Sequence, residues 1–207
     1  MIIITKFLTK KVGLARLDNS SAHTTRVWTA LRVHELPRLG TDALFELAEH
    51  PFRKESQIPK SGVHLLSMDE YRVFHMAPAG DMPTEQAMAQ SFSLANMVPQ
   101  AQKHNGGAWA KSVEAATRKY AGRATGDVYV ITGPSYSPSI EESEGIGAGH
   151  VRVPKYLFKL VYDQDTNRAW AHWHLNDDAT RGSRPISYGE LVRRTGIEFL
   201  PGISPRD

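Results

Sequence analysis

The stretch from Val151 to Leu175 constrains the fold most. Two β-branched and aromatic runs, Val151 to Tyr162 and Arg168 to Leu175, flank the short polar segment Asp163 to Asn167. Runs of this composition separated by a turn read as strands joined in an antiparallel hairpin. Asp127 to Thr132 alternates in the same way and is expected to end at Gly133-Pro134. Arg26 to Val33, Gly62 to Ser67 and Phe92 to Met97 are further strand candidates, and His75 is expected at a strand end. Helical patterns fall at Thr41 to Glu49, at Pro83 to Ala89, from Asn105 to about Tyr120 with Gly122 as stop, and from the Ser187 cap through Arg194 with Gly196 after it. Strands and helices mix without regular βαβ alternation, so the expected class is α+β, with a mainly antiparallel central sheet and flanking helices.

The chain has 207 residues, enough for one domain with a sizeable core. Residues 1–23 are read as an N-terminal segment of uncertain order and residues 24–207 as a single domain. Residues 135–149 are rich in glycine, serine and glutamate and read as a mobile loop. A formal charge of +3 permits a polyanionic partner without requiring one. There is no cysteine, so disulfides are excluded and redox compartment cannot be read. No run approaches the ~20 apolar residues of a membrane helix, so no membrane partner is expected. The first residues lack the pattern of an export signal, and localisation stays unassigned.

Chemistry concentrates between His75 and Arg118. The blocks are His75-Met76-Ala77-Pro78-Ala79-Gly80-Asp81-Met82, then Ser91 to Gln100 (Ser-Phe-Ser-Leu-Ala-Asn-Met-Val-Pro-Gln), then Asn105-Gly106-Gly107-Ala108-Trp109-Ala110-Lys111. A neutral imidazole takes a proton from water near pH 7. An amide oxygen holds a hard cation such as magnesium, which otherwise keeps its water. The order of these blocks, continued by Asp127 to Pro134, Val153 to Lys159 and Ile186 to Pro201, resembles the DNA/RNA non-specific endonucleases, the ββα-metal (His-Me finger) nucleases of the Serratia nuclease and endonuclease G type. The likeness runs over residues 24 to 203.

That resemblance implies a metal-dependent hydrolase of DNA or RNA phosphodiesters. It makes His75 the general base and Asn105 the holder of Mg2+, with Mn2+ as a substitute. Asn96 would orient the cation's water shell or the histidine. Glu114 would reach the cation's water shell, and Arg118, four residues on, would approach phosphate. DNA, RNA and an inhibitor or immunity protein are the implied partners; oligomeric state is not implied. The ββα element would be the His75 strand, the Phe92 to Met97 strand and the Asn105 helix. A catalytically degenerate relative that binds nucleic acid or a protein without cutting is the alternative.

Two departures stand out. Where the family carries Asp-Arg-Gly-His, this chain has Arg72-Val73-Phe74-His75. Arg72 is either a stand-in for the lost arginine or a surface residue, since residues three apart on a strand face opposite ways. His50 or Arg53 is the stand-in for a second, upstream arginine. Glu114 also lies five residues after Trp109, one more than is usual in the family. On an ideal α-helix, nine residues from Asn105 place Glu114 about 180° away. It shares the Asn105 face only if Asn105 precedes the regular helix or a π-bulge absorbs one residue. Trp28, Trp109, Trp170 and Trp173 are read as packing residues, and His172 and His174 as strand residues rather than a metal pair.

Overall fold

The computed structural model describes residues 2–7, 27–30, 71–82, 88, 91, 96–137, 139–146 and 151–207. The helix read at Thr41 to Glu49, the strand at Gly62 to Ser67, His50 and Arg53 lie outside them, as does Pro83 to Ala89 except Met88.

Ten strands are present among the described residues. They are β1 (Ile2–Phe7), β2 (Val27–Ala30), β3 (Tyr71–His75), β4 (Met97–Ala101), β5 (Val128–Ser135), β6 (Gly145–Ile146), β7 (Val151–Arg152), β8 (Tyr156–Asp163), β9 (Arg168–Leu175) and β10 (Ile186–Ser187). The long helix α1 covers residues 102–121, and α2 is Tyr188–Thr195. Six strands form one sheet in the order β10-β9-β8-β5-β1-β2, every neighbour antiparallel. The α+β class with an antiparallel centre is what the structure has. β1, from the segment whose order the sequence left open, sits between β5 and β2.

Period-two alternation sends each long strand's side chains to two cores. On one face Ile131, Phe158, Leu160, Tyr162, Ala169 and Ala171 pack against Tyr188 and Leu191 of α2. On the other, Val128, Val130 and Val161 meet Ala121 of α1. Trp109 and Val113 of α1 join Leu157 of β8 to Met76, Ala77 and Val98 of the β3–β4 ribbon. That third cluster fixes the ribbon and helix on the sheet, and it therefore positions the site.

The hairpin is as read, with Asn167 at φ 49° in its turn. The last helix also starts at the expected cap: Ser187 Oγ accepts from Glu190 N–H at 3.1 Å, and Gly196 closes the helix at φ 68°.

Four details differ from the sequence reading. Val151 to Tyr162 is two strands, because Val153-Pro154-Lys155 break the run. β5 continues through Gly133-Pro134 to Ser135. Beyond Thr132 it pairs only with β8, and a strand edge tolerates proline's missing donor. The segment read as a mobile loop contains β6, paired with β7, and Arg152 donates to the Ser143 carbonyl at 2.6 Å. Finally, of the strand placed at Phe92 to Met97 only Asn96 and Met97 are described, and β4 runs Met97–Ala101. Asn96 is engaged with the backbone of Ala77, so pairing with β3 starts one residue later, at His75↔Met97.

Candidate active site

β3 and β4 form an antiparallel ribbon whose far end leads directly into α1. His75 ends β3, half-buried, and burial pulls its pKa below the usual imidazole value. The ring is therefore neutral near pH 7, the state in which it accepts a proton. The chain leaving His75 is held by Asn96. The Asn96 Oδ1 accepts from Ala77 N–H at 3.0 Å, and its Nδ2 donates to the carbonyls of Ala77 and Ser91 at 2.9 and 2.7 Å. Both amide donors are engaged, so Asn96 acts on the histidine loop, as a positioning residue.

Helix α1 does not start at Asn105. An α-helical turn, Gln102–His104, comes first, and its N–H groups are capped from afar: Asp178 Oδ1 accepts from Lys103 and His104 N–H at 2.7 and 3.3 Å. Asn105 is helical, with φ −59° and ψ −54°. It is not a cap, because the helix already runs from Gln102 through it. Its Nδ2 donates to Gln100 Oε1 at 2.9 Å, which leaves the amide oxygen outside that bond. Gln100, fully buried on β4, donates in turn to the carbonyls of Phe74 and His75 at 3.3 and 3.5 Å. One side chain thus ties the histidine strand to the helical amide.

From Asn105 to Glu114 the helix is π-helical, and Ala115 N–H donates to the Ala110 carbonyl, five residues back. A π-turn advances roughly 80–85° per residue in place of about 100°. Nine such steps bring Glu114 back to within about 45° of Asn105 around the axis. The one-residue excess after Trp109 is absorbed in the helix itself, and both oxygen-bearing side chains occupy one face. Trp109 and Val113 take the neighbouring, buried face.

Glu114 is buried, and burial raises its pKa; the Lys159 and Arg118 charges and the Trp109 indole oppose the rise, while Asp81 adds to it. Arg118 Nη1 lies 2.7 Å from Asp81 Oδ1 and 3.9 Å from Glu114 Oε2. Asp81 stands on the short 3-10 turn Ala79–Asp81 after His75. The Asp81–Arg118 pair therefore brings the histidine loop to the helix, with the guanidinium still partly exposed beside Glu114. Lys159 of β8 lies completely buried beneath them. Its ammonium bonds Thr132 Oγ1 at 2.7 Å and sits 5.7 Å from the Trp109 ring centre.

Half-buried imidazole, helical amide, carboxylate and guanidinium thus gather where the ribbon meets α1. A model of the DNA/RNA non-specific endonuclease family matches residues 62–206. The chain belongs to that family. It is 39% identical over 146 residues to the mitochondrial nuclease EXOG of Danio rerio, covering 62% of this chain and 42% of that protein. It is 32% identical over 144 residues to nuclease C1 of Cunninghamella echinulata var. echinulata, covering 63% of this chain and 54% of that protein. Among solved structures it resembles the complex of EndoG with EndoGI, with a TM-score of 0.56 and 26% identity over 66% of this chain and 61% of that one. The chain thus spans about half or less of the length of these curated relatives.

Within this member of the family, the altered motif has a definite place. Arg72 pairs with Gln100 across the ribbon and Phe74 with Val98. The Arg72 side chain lies outside the described residues. Gln100, Asp81, Lys159 and Thr132 are site neighbours that the sequence reading passed over. Lys159 had a legible signal, a lone cation inside the apolar run Leu157 to Val161. Gln100 had none, because only the β4–α1 junction shows what it bridges.

His172 and His174 belong to a buried cluster behind the site. His104 Nε2 and His174 Nδ1 are 3.1 Å apart, and both rings pack on Trp109. No three of His, Cys, Asp and Glu gather as a metal cage among the described residues. Burial first, then His174 and Lys159, lower the His172 pKa to about 4. An unfolded imidazole titrates near 6.5, so between about pH 6.5 and 4 the unfolded chain binds the extra proton. Stability is therefore expected to fall across that window as pH drops, and His172→Gln should flatten the fall. Urea midpoints of both proteins at neutral pH and near pH 4.5 check this; parallel declines would exclude His172 as the cause.

Proposed function

We propose that this protein is a metal-dependent, sequence-non-specific endonuclease that hydrolyses phosphodiester bonds of DNA or RNA. The observation that carries the reading is the Gln100 bridge, which ties the histidine strand and the Asn105 amide into one ribbon-and-helix unit. Asn105 Oδ1 and the Glu114 carboxylate are hard oxygen donors on one helix face, a set that fits Mg2+, with Mn2+ as a substitute. A dication bound there supplies positive charge to the phosphate and to the departing oxygen.

The protein's own groups do the rest. His75 accepts the proton of the attacking water. Gln100 and Asn96 keep the histidine loop and the Asn105 amide in place. Arg118, braced by Asp81, faces the phosphate oxygens. Contacts to phosphate carry no base information, so cleavage should tolerate any sequence and weaken with salt.

The replacement of Asp-Arg-Gly before His75 favours a second reading, a binding protein of nuclease fold that does not cut. A protein inhibitor is also a proposed partner, on the likeness to a chain solved with one. Incubation with supercoiled plasmid and with RNA, in magnesium and in EDTA, separates the readings. Nicking and RNA loss that vanish in EDTA are expected. Folded protein that cuts neither substrate in magnesium or manganese would leave the binding-only reading.

A further inference from the structure

On the other side of α1 from the site lies an open groove of about 400 Å³. Its walls are the helix, with Lys103, Gly107, Lys111 and Ser112, and the turn carrying Asp178, Arg181 and Gly182. The turn is docked on the helix at two points. Asp178 Oδ1 accepts the Lys103 and His104 N–H groups, and a Cβ placed on Gly182 would lie 3.2 Å from Ser112 Oγ. Arg181 is preset: its Nη1 donates to the carbonyls of Asp178 and Ala179 at 3.4 and 3.0 Å. Lys103, Lys111 and Arg181 are exposed. The one carboxylate lining the groove, Asp178, is already turned to the helix N–H groups. Three cations therefore face solvent in a concave site.

Position gives this charge a meaning. With the π-helical advance, Gly107, Lys111 and Ser112 lie roughly 120–235° around the axis from Asn105. Trp109 and Val113 occupy the buried arc, so the exposed arc runs from Asn105 over Gly106 to the groove. Gly106 and Gly107 have open space where a Cβ would stand, which keeps the crossing low. A helix with its side chains is about 10 Å wide, and a duplex strand rises about 3.4 Å along the duplex axis per charge. A strand with one phosphate at Asn105 thus reaches the groove within a few linkages.

We propose that this groove is a second phosphodiester subsite, which takes the backbone of the same polynucleotide a few linkages from the bond being cut. It rests on the nuclease reading, and it makes the protein prefer polymers to short substrates. Neither Lys111 nor Arg181 belongs to the cleavage machinery, so the double variant Lys111→Gln/Arg181→Gln should keep its fold and its chemistry.

The test compares this variant with the unaltered protein in two assays. The first is binding of a long duplex in EDTA, read by fluorescence anisotropy across a salt series. The second is cleavage of a thymidine dinucleotide and of the long duplex in magnesium. The variant should bind the duplex roughly tenfold or more weakly at 0.1 M salt, with a log–log salt slope smaller by about two. Its dinucleotide kcat/KM should equal that of the unaltered protein. An unchanged salt slope, with duplex still bound and cut, would overturn the subsite and leave the nuclease reading standing. Equal loss on dinucleotide and duplex would also overturn it, by placing these residues at the cut bond. An equal loss of affinity for polyglutamate would replace the polynucleotide with a general polyanion. An unaltered protein that neither binds nor cuts nucleic acid would overturn both readings.

Discussion

His75→Ala should lower phosphodiester cleavage by about 10²- to 10⁴-fold while the protein stays folded, the range expected when a positioned general base is removed. The ring is half-buried and pulled below its usual pKa by burial, so near pH 7 it is a neutral acceptor. Its loss removes the acceptor and leaves the Gln100 bridge, which uses the His75 carbonyl rather than the ring. Substrate binding should therefore survive, and the loss should appear in kcat. Single-turnover cleavage of labelled duplex, with circular dichroism as the folding check, decides it. A variant that cuts within about tenfold of the parent, below that catalytic range, would remove His75 from the role of base.

Lys159→Met should destabilise the fold by about 3–5 kcal/mol, the usual cost of leaving a buried charge without its partner. Lys159 is completely buried, and its ammonium faces the Glu114 and Asp81 carboxylates with Arg118 also near. Burial pulls Lys159 down and pushes Glu114 up, and each charge draws the other back toward ionisation. Removing the ammonium takes away a charge that favours the ionised Glu114 and leaves that carboxylate buried, with Arg118 3.9 Å away. The melting temperature should drop by roughly 6–20 °C for a chain of this size. The double variant Lys159→Met/Glu114→Gln should recover much of that drop, because the unmatched carboxylate is then neutral. Denaturant melts of the two single variants and the double variant give the coupling. Additive losses would show that the two groups do not compensate one another.

A large part of this architecture was legible in local sequence. The hairpin β8–β9, the Ser187 cap and the Gly196 stop depend on residues a few positions apart, and their chemistry acts over that distance. The ββα order was readable too, because the ribbon and helix follow one another along the chain. The altered residues before His75 and the extra residue before Glu114 were visible as departures from a family pattern. Their structural consequences were not. Whether nine residues put Glu114 beside Asn105 or behind it depends on hydrogen-bond register within the helix. Either register is compatible with the same sequence.

The sequence by itself determined the α+β class and the kinship to non-specific endonucleases, and that likeness nominated His75, Asn105, Glu114 and Arg118 as site candidates. The class follows from periodicity and caps, and the kinship and its candidates from the ordered motifs. The tertiary structure alone decided how the set is held. Gln100 joins Asn105 to β3, Asp178 caps a helix 75 residues away, and Asp81 braces Arg118 across 37 residues. Lys159 became part of the site because β8 runs beneath Trp109. Each is a contact between segments distant in the chain. Which polar group meets which is set by how the sheet, the ribbon and the helix pack, and no local pattern encodes that packing.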